Sequence, residues 1–187
     1  MGDSKEKPAG GGIAAELYFW AQALVFALVV LVCINVFFFR LSGVDGHSME
    51  PTFQNHDQIL MQIIGFEEPR RGDIVVAMAP GWEDEPIVKR VIALAGDTVD
   101  IDTATGMVVL NGQKLDEDAY TAERVIALGT QDYPYTVPEG CVFVMGDNRN
   151  KSTDSRWVSE VGALPYERLV GRVIFRLWPL SAFGTVS

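Results

Sequence analysis

Histidine, the side chain that most often serves as a general base, occurs only twice in 187 residues, as His47 and His56. Cysteine is as scarce. Cys33 lies inside a long apolar run and Cys141 far beyond it, so the two are not expected to pair, and no metal site can be built from them. Basic charge is also short: 15 Lys and Arg face 25 Asp and Glu, a formal net charge of −10. That excess lies entirely in residues 41–187, which carry 12 basic and 22 acidic side chains. A domain so charged has no electrostatic footprint for nucleic acid and does not adhere to anionic lipid through general charge. Internal repeats are absent, and helical periodicity beyond residue 40 is nearly so, except around Pro165 to Val170.

In place of these the chain has one long apolar run. Leu17 to Phe39 carries no charge, with Gln22 and Asn35 as its strongly polar interruptions. As a helix it reaches roughly 34 Å, enough to cross a hydrocarbon core of about 30 Å. A cleaved leader would have a shorter apolar core and a small-x-small exit, whereas this run leaves through Phe37-Phe38-Phe39-Arg40. A buried core helix would show a polar stripe, and none is present. Residues 13–40 therefore read as an uncleaved transmembrane anchor. Residues 1–12, with Pro8 and Gly10-Gly11-Gly12, read as a disordered tail. Lys5 and Lys7 before the span, against Arg40 after it, orient the tail to the cytoplasm and residues 41–187 to the outer side.

Beyond the span the pattern is β. Short runs rich in branched residues recur at Ile59-Leu60-Met61, Ile74–Met78, Ile87–Leu94, Met107–Leu110, Val142–Met145 and Val173–Phe175, separated by Gly, Pro, Asp and Asn. Asn111-Gly112 predicts a type I′ hairpin turn, because both central positions tolerate positive φ. The stretch 116–136 reads as an irregular, variable excursion. The fold class expected is an all-β or β-dominated domain preceded by a single transmembrane helix, large enough to hold a core without disulfides.

The chemistry centres on Gly46-His47-Ser48-Met49-Glu50-Pro51-Thr52, with Ser48 eight residues beyond Arg40. Gly46 and Pro51 bracket Ser48 in a sharp turn, but a serine in a turn is ordinarily a capping residue. As a nucleophile it needs a base. His47 is its immediate neighbour, which directs the two side chains apart, so His47 reads as a bystander. Lys89, in Lys89-Arg90-Val91-Ile92, is the alternative, since Ser-Lys pairs are an established variant of the serine-nucleophile arrangement. To act, Lys89 must be neutral near pH 7, several units below its usual value of about 10.4, and burial among Val88, Val91 and Ile92 supplies the cause. Arg90 can face the other side of the same strand. Taken alone, Lys89 would pass for an exposed strand lysine.

Four blocks resemble the bacterial type I signal peptidases, in their short Gram-positive-like form. They are Gly46–Thr52, Arg71-Gly72-Asp73-Ile74-Val75-Val76, Lys89–Asp97 and Gly146-Asp147-Asn148-Arg149-Asn150-Lys151-Ser152-Thr153-Asp154-Ser155-Arg156. With the preceding span, the resemblance covers residues 17 to about 180. His47, Ala93 and Ala95 depart from it, standing where Gly or Pro is more usual. The resemblance implies Ser48 as nucleophile, Lys89 as general base and Ser152 as a hydroxyl bonded to the lysine amine. It implies Val44, Met49 and Val88 as the lining of shallow pockets for small substrate side chains. Asp147, Asp154 and Arg156 are implied as structural near the site. Asp154 and Arg156, two apart, are compatible with an ion pair, which at a surface would be worth little. Gly46 stands where some relatives carry a serine or threonine hydroxyl aimed at the oxyanion, so a backbone or water donor is expected to substitute.

The activity implied is cleavage of signal peptides from exported preproteins after Ala-x-Ala-like sites, by a membrane-anchored serine endopeptidase. No metal or cofactor is implied; the partners are preprotein signal peptides and the lipid bilayer, and a monomer is expected. Trp178, Phe183 and the run between Leu177 and Phe183 suit either the membrane interface or core packing. A self-cleaving Ser-Lys repressor would need a DNA-binding segment and no span. A catalytically silent anchored β-domain that binds exported chains is the reading from another class, and retention of Ser48, Lys89 and Ser152 together argues against it.

Overall fold

The structure is a computed structural model that describes residues 12–66, 68–82, 85–121 and 123–186. It divides into two units, a helix and a β-rich domain that begins at Phe38. The expected tail lies, but for Gly12, outside the described residues. Helix α1 runs over Ile13–Phe37 with Glu16 in its first turn, and its apolar side chains, among them Leu17, Trp20, Phe26 and Leu31, stand exposed on every side. Length and composition suffice to cross a membrane.

Of the anchor expected over 13–40, helix α1 takes Ile13–Phe37. Phe39–Gly43 forms strand β1, so Phe39 and Arg40 belong to the domain. Arg40 pairs across to Met61 and Phe39 to Gln62, and aromatic Phe39 suits a pleated edge as well as a bilayer. Apolarity was continuous across the junction; the change lies in backbone pairing, which composition does not register.

The domain carries two sheets. The larger takes β1, β2 (Gln58–Gln62), β3 (Ile74–Ala77), β4 (Ile87–Leu94), β9 (Cys141–Met145), β10 (Leu164–Pro165), β11 (Leu169–Trp178) and β12 (Gly184–Thr185). Its order is β1-β2-β11-β3-β4-β9-β10, with β12 on β11. The smaller holds β5 (Thr98–Asp102), β6 (Met107–Leu110), β7 (Gln113–Lys114) and β8 (Tyr135–Thr136), in the order β7-β6-β5-β8. All six predicted apolar runs are strands. The hairpin turn is as expected, with φ 53° at Asn111 and 79° at Gly112. The helical hint around residue 165 is a single 3-10 turn, Tyr166–Arg168.

Strand β4 lies inside the larger sheet, antiparallel to β3 on one side and β9 on the other. Being covered on both faces, it is buried from Lys89 through Ala93. Val75, Val91 and Val144 form one core cluster around it, and Ile92, Ala93 and Phe143 belong to another. The C-terminal apolar run does not join the core: Trp178, Leu180 and Phe183 are 55%, 70% and 57% exposed.

Candidate active site

The turn after β1 is closed by the backbone. Val44 N donates to Asp57 O and His56 N to Val44 O, both at 2.8 Å, and Phe53 N donates to Met49 O at 2.9 Å. Met49 and Phe53 drive into the core and fix the turn from within. Gly46 has φ +94°, a region that side chains other than glycine adopt only with strain. Ser48 is thereby presented half-buried, and its backbone N–H has no acceptor among the described residues.

Across from it, β4 delivers Lys89. Its register opposite Val75 of β3 sets its depth, and only 4% of the residue is exposed. Lys89 Nζ lies 2.8 Å from Ser48 Oγ and donates to Val88 O at 3.0 Å, and it pairs with no carboxylate among the described residues. Burial pulls its pKa down to about 8, against the opposing pull of Asp154 and Asp147, with Arg156 helping to lower it. Once the amine is neutral, the same 2.8 Å contact lets its lone pair accept the Ser48 proton.

The acids that attract Lys89 are committed elsewhere. Asp147 accepts Arg90 Nε and Nη2, each at 2.8 Å, and the Thr52 hydroxyl. Asp154 accepts Arg156 Nε at 2.7 Å, Arg156 Nη2 at 2.8 Å and Gly146 N at 3.0 Å. The side chains of Asp154 and Arg156 are both 0% exposed, so the weak surface pair allowed for in the sequence is a buried, forked one. A third buried pair, Glu117 with Arg149, completes the layer.

Ser152 differs from expectation. Its hydroxyl is buried but makes no hydrogen bond among the described residues, so the predicted bond to the Lys89 amine is not formed in this structure. Oγ packs instead against Gly146, where an added Cβ would clash with it and with Ser48 O. His47 bonds Glu50 through Nδ1 at 2.8 Å and takes no part in the Ser48–Lys89 contact.

A cleft of about 560 Å³ opens over the pair. Val44, Met49 and Val88 are among the residues that line it, with Val76, Ile87, Trp82, Glu85 and Pro86. The last three come from the loop before β4, which carries no β-branched pattern to announce it. Thr52, Arg90, Glu117, Tyr120 and Arg149 were not singled out from the sequence. For Arg90 and Arg149 the one available signal was adjacency to Lys89 and Asn148. Among the described residues no group of three or more His, Cys, Asp or Glu is placed to hold a metal ion.

A serine hydroxyl against a buried, largely desolvated amine, lining a cleft in a β-domain, is an arrangement that suits a hydrolase with a serine nucleophile and a lysine base. The family model for signal peptidase, peptidase S26, matches residues 17–178. Signal peptidase I of Bacillus amyloliquefaciens is 36% identical over 189 residues, covering 97% of each chain. Signal peptidase I S of Bacillus subtilis is 36% identical over 171 residues, covering 87% of this chain and 89% of its own. A crystal structure of a signal peptidase I from Enterococcus faecalis aligns at 33% identity over 56% of this chain and 96% of that one, with a TM-score of 0.43. The chain belongs to the signal peptidase family, peptidase S26.

Proposed function

We propose that this protein is a membrane-anchored serine endopeptidase that removes N-terminal signal peptides from exported preproteins, with Ser48 as nucleophile and Lys89 as general base. The observation that carries the reading is the 2.8 Å contact between Ser48 Oγ and a buried lysine amine that has no carboxylate partner among the described residues. Neutral Lys89 takes the hydroxyl proton as Oγ attacks the scissile carbonyl. The Ser48 N–H is a donor available to the developing oxyanion, a type of contact worth about 10²–10³ in rate. The Lys89 ammonium then protonates the leaving amine. Neutral again, it activates the water that hydrolyses the acyl-enzyme.

Small side chains at the first and third residues before the cut suit the shallow wall of Val44, Met49 and Val88. An extended substrate adds its backbone along the cleft by strand-like pairing. With α1 spanning the membrane and the N-terminus cytoplasmic, the domain works on the outer side, where tethering holds the cut at a fixed height. Purified protein and its Ser48→Ala and Lys89→Ala variants, assayed on one preprotein, test the proposal. Neither variant should cleave while both keep the wild-type fold. Normal turnover by both variants would defeat the Ser48–Lys89 assignment, whereas absence of cleavage by the wild-type protein itself would favour a domain that binds exported chains without cutting them.

A further inference from the structure

Segment 116–136 has no task in the proposed chemistry, yet its first turn carries a buried acid. Glu117 is 2% exposed, and its carboxylate receives Arg149 through both Nη1 (2.7 Å) and Nη2 (2.5 Å). The N–H groups of Tyr120 and Thr121 return to the Glu117 carbonyl, which closes the turn. The Tyr120 hydroxyl donates to Glu117 Oε1 at 3.2 Å, and its ring centroid lies 4.1 Å from the Arg90 guanidinium.

These contacts reach both members of the Ser48–Lys89 pair. Arg90 follows Lys89 on β4 and shares Asp147 with Thr52, four residues after Ser48. On the other side, Arg149 Nε donates to Gly146 O at 3.1 Å, and Arg149 O accepts Arg156 Nη2 at 2.7 Å. Between Gly146 and Arg149, Asn148 donates its N–H to Ser48 O at 3.1 Å and Nδ2 to His47 O at 3.0 Å. The loop that holds two successive carbonyls of the nucleophile turn is thus itself held by Glu117. It has no slack, since any Cβ at Gly146 would strike Ser48 O.

Buried ion pairs add little to net stability, because desolvation offsets the attraction and apolar replacements are often neutral. A forked carboxylate–guanidinium pair does fix orientation. We infer that the Glu117–Tyr120 turn is a positioning clip that sets the Ser48 hydroxyl against the Lys89 amine, with Glu117, Tyr120 and Arg149 acting through other residues and touching no substrate. The inference rests on the Ser–Lys reading, and its test separates the two.

Full-length protein in detergent would be assayed on a peptide with an Ala-x-Ala cut, well below each variant's own melting midpoint, where every molecule is folded. A displacement of about 1 Å in reacting groups costs on the order of 10²-fold in rate. Glu117→Gln should therefore lower kcat about 10- to 100-fold with KM within about twofold. Arg149→Lys should fall likewise, as a point charge cannot fork. Tyr120→Phe keeps the ring and should retain most of kcat, whereas Tyr120→Leu should not. A Glu117→Gln protein that melts lower but turns over at the wild-type kcat overturns the clip. Should Glu117→Gln fail to fold, equal kcat for Tyr120→Phe and Tyr120→Leu overturns it instead. Lys89→Ala assayed alongside distinguishes the failures: turnover retained there defeats the dyad, and leaves the fate of the clip to the Glu117 and Tyr120 variants.

Discussion

Lys89 and Arg90 are successive residues of β4, 4% and 2% exposed, and the two faces of the strand treat them in opposite ways. The Arg90 guanidinium meets a carboxylate through two hydrogen bonds, the Gly72 carbonyl and the Tyr120 ring. Everything around it favours a cation. The Lys89 amine meets a hydroxyl and one carbonyl. Three buried guanidiniums, Arg90, Arg149 and Arg156, are each matched by a buried acid, Asp147, Glu117 and Asp154. That layer is electrically closed before Lys89 is counted, so an ammonium there is the odd charge. Burial is the largest cause of the lowered Lys89 pKa, opposed by Asp154 and Asp147 and aided by Arg156.

Abolishing the unpaired face has the largest expected effect. Ser48→Ala and Lys89→Ala should each reduce cleavage by about 10⁴ or more, since nucleophile and base act as one unit. Lys89→Arg should be as inactive, because it places on the cleft face the permanent cation that belongs on the other. Timed digestion of a preprotein followed on gels measures all three.

Breaking the paired face should damage the fold instead. Asp147→Asn leaves the Arg90 guanidinium buried with no anion, a change that typically costs about 3–5 kcal/mol. Urea unfolding reads it, and a loss below about 1 kcal/mol, the scale of an exposed pair, would show that the Arg90 side is better hydrated than its burial indicates.

The contrast sharpens with pH. With the folded-state pKa near 8, the acid limb of kcat/KM should bend there and fall tenfold per pH unit below it. The same shift destabilises the fold. Unfolded, the lysine binds its proton more tightly, so the penalty is fully present below about 8 and vanishes as pH rises past the unfolded value of about 10.4. Lys89→Met should then stabilise the domain by roughly 3 kcal/mol at pH 7, an advantage that fades above pH 8. Equal unfolding midpoints for wild type and Lys89→Met at pH 7 would contradict the depressed pKa. The smallest effect should come from Ser152→Ala. Its hydroxyl makes no hydrogen bond in this structure, so about a tenfold loss of kcat is expected if it engages the amine only during turnover, and none if it is packing alone.

What the sequence disclosed follows locality. Branched runs such as Val142–Met145 and the Asn111-Gly112 turn encode their conformation in a few adjacent residues, and both were legible. Ser48, Lys89 and the cleft residues Val44, Met49 and Val88 were singled out because they sit in compact blocks. The Glu117–Arg149 pair spans 32 residues and Thr52–Asp147 spans 95, and no local pattern joins such partners. Segment 116–136 looked variable because it is acidic and interspersed with Thr and Tyr; its order comes from a buried acid, a ring against Arg90, and Asn150 receiving the N–H groups of Ile126 and Ala127. The end of the anchor was missed for a different reason. Phe37, Phe38 and Phe39 are identical to any scale of apolarity, and only the partner of Phe39 in β2 shows where the domain begins.

An amine with a pKa near 8 is also a target for covalent ligands. An ordinary lysine, with a pKa of about 10.4, is almost wholly ammonium at pH 8 and resists condensation. The amine of Lys89 is about half neutral there and lines a cleft of about 560 Å³. An aldehyde small enough to enter would form an imine at Nζ. That adduct would silence the serine by occupying its base, with Ser48 itself left unmodified.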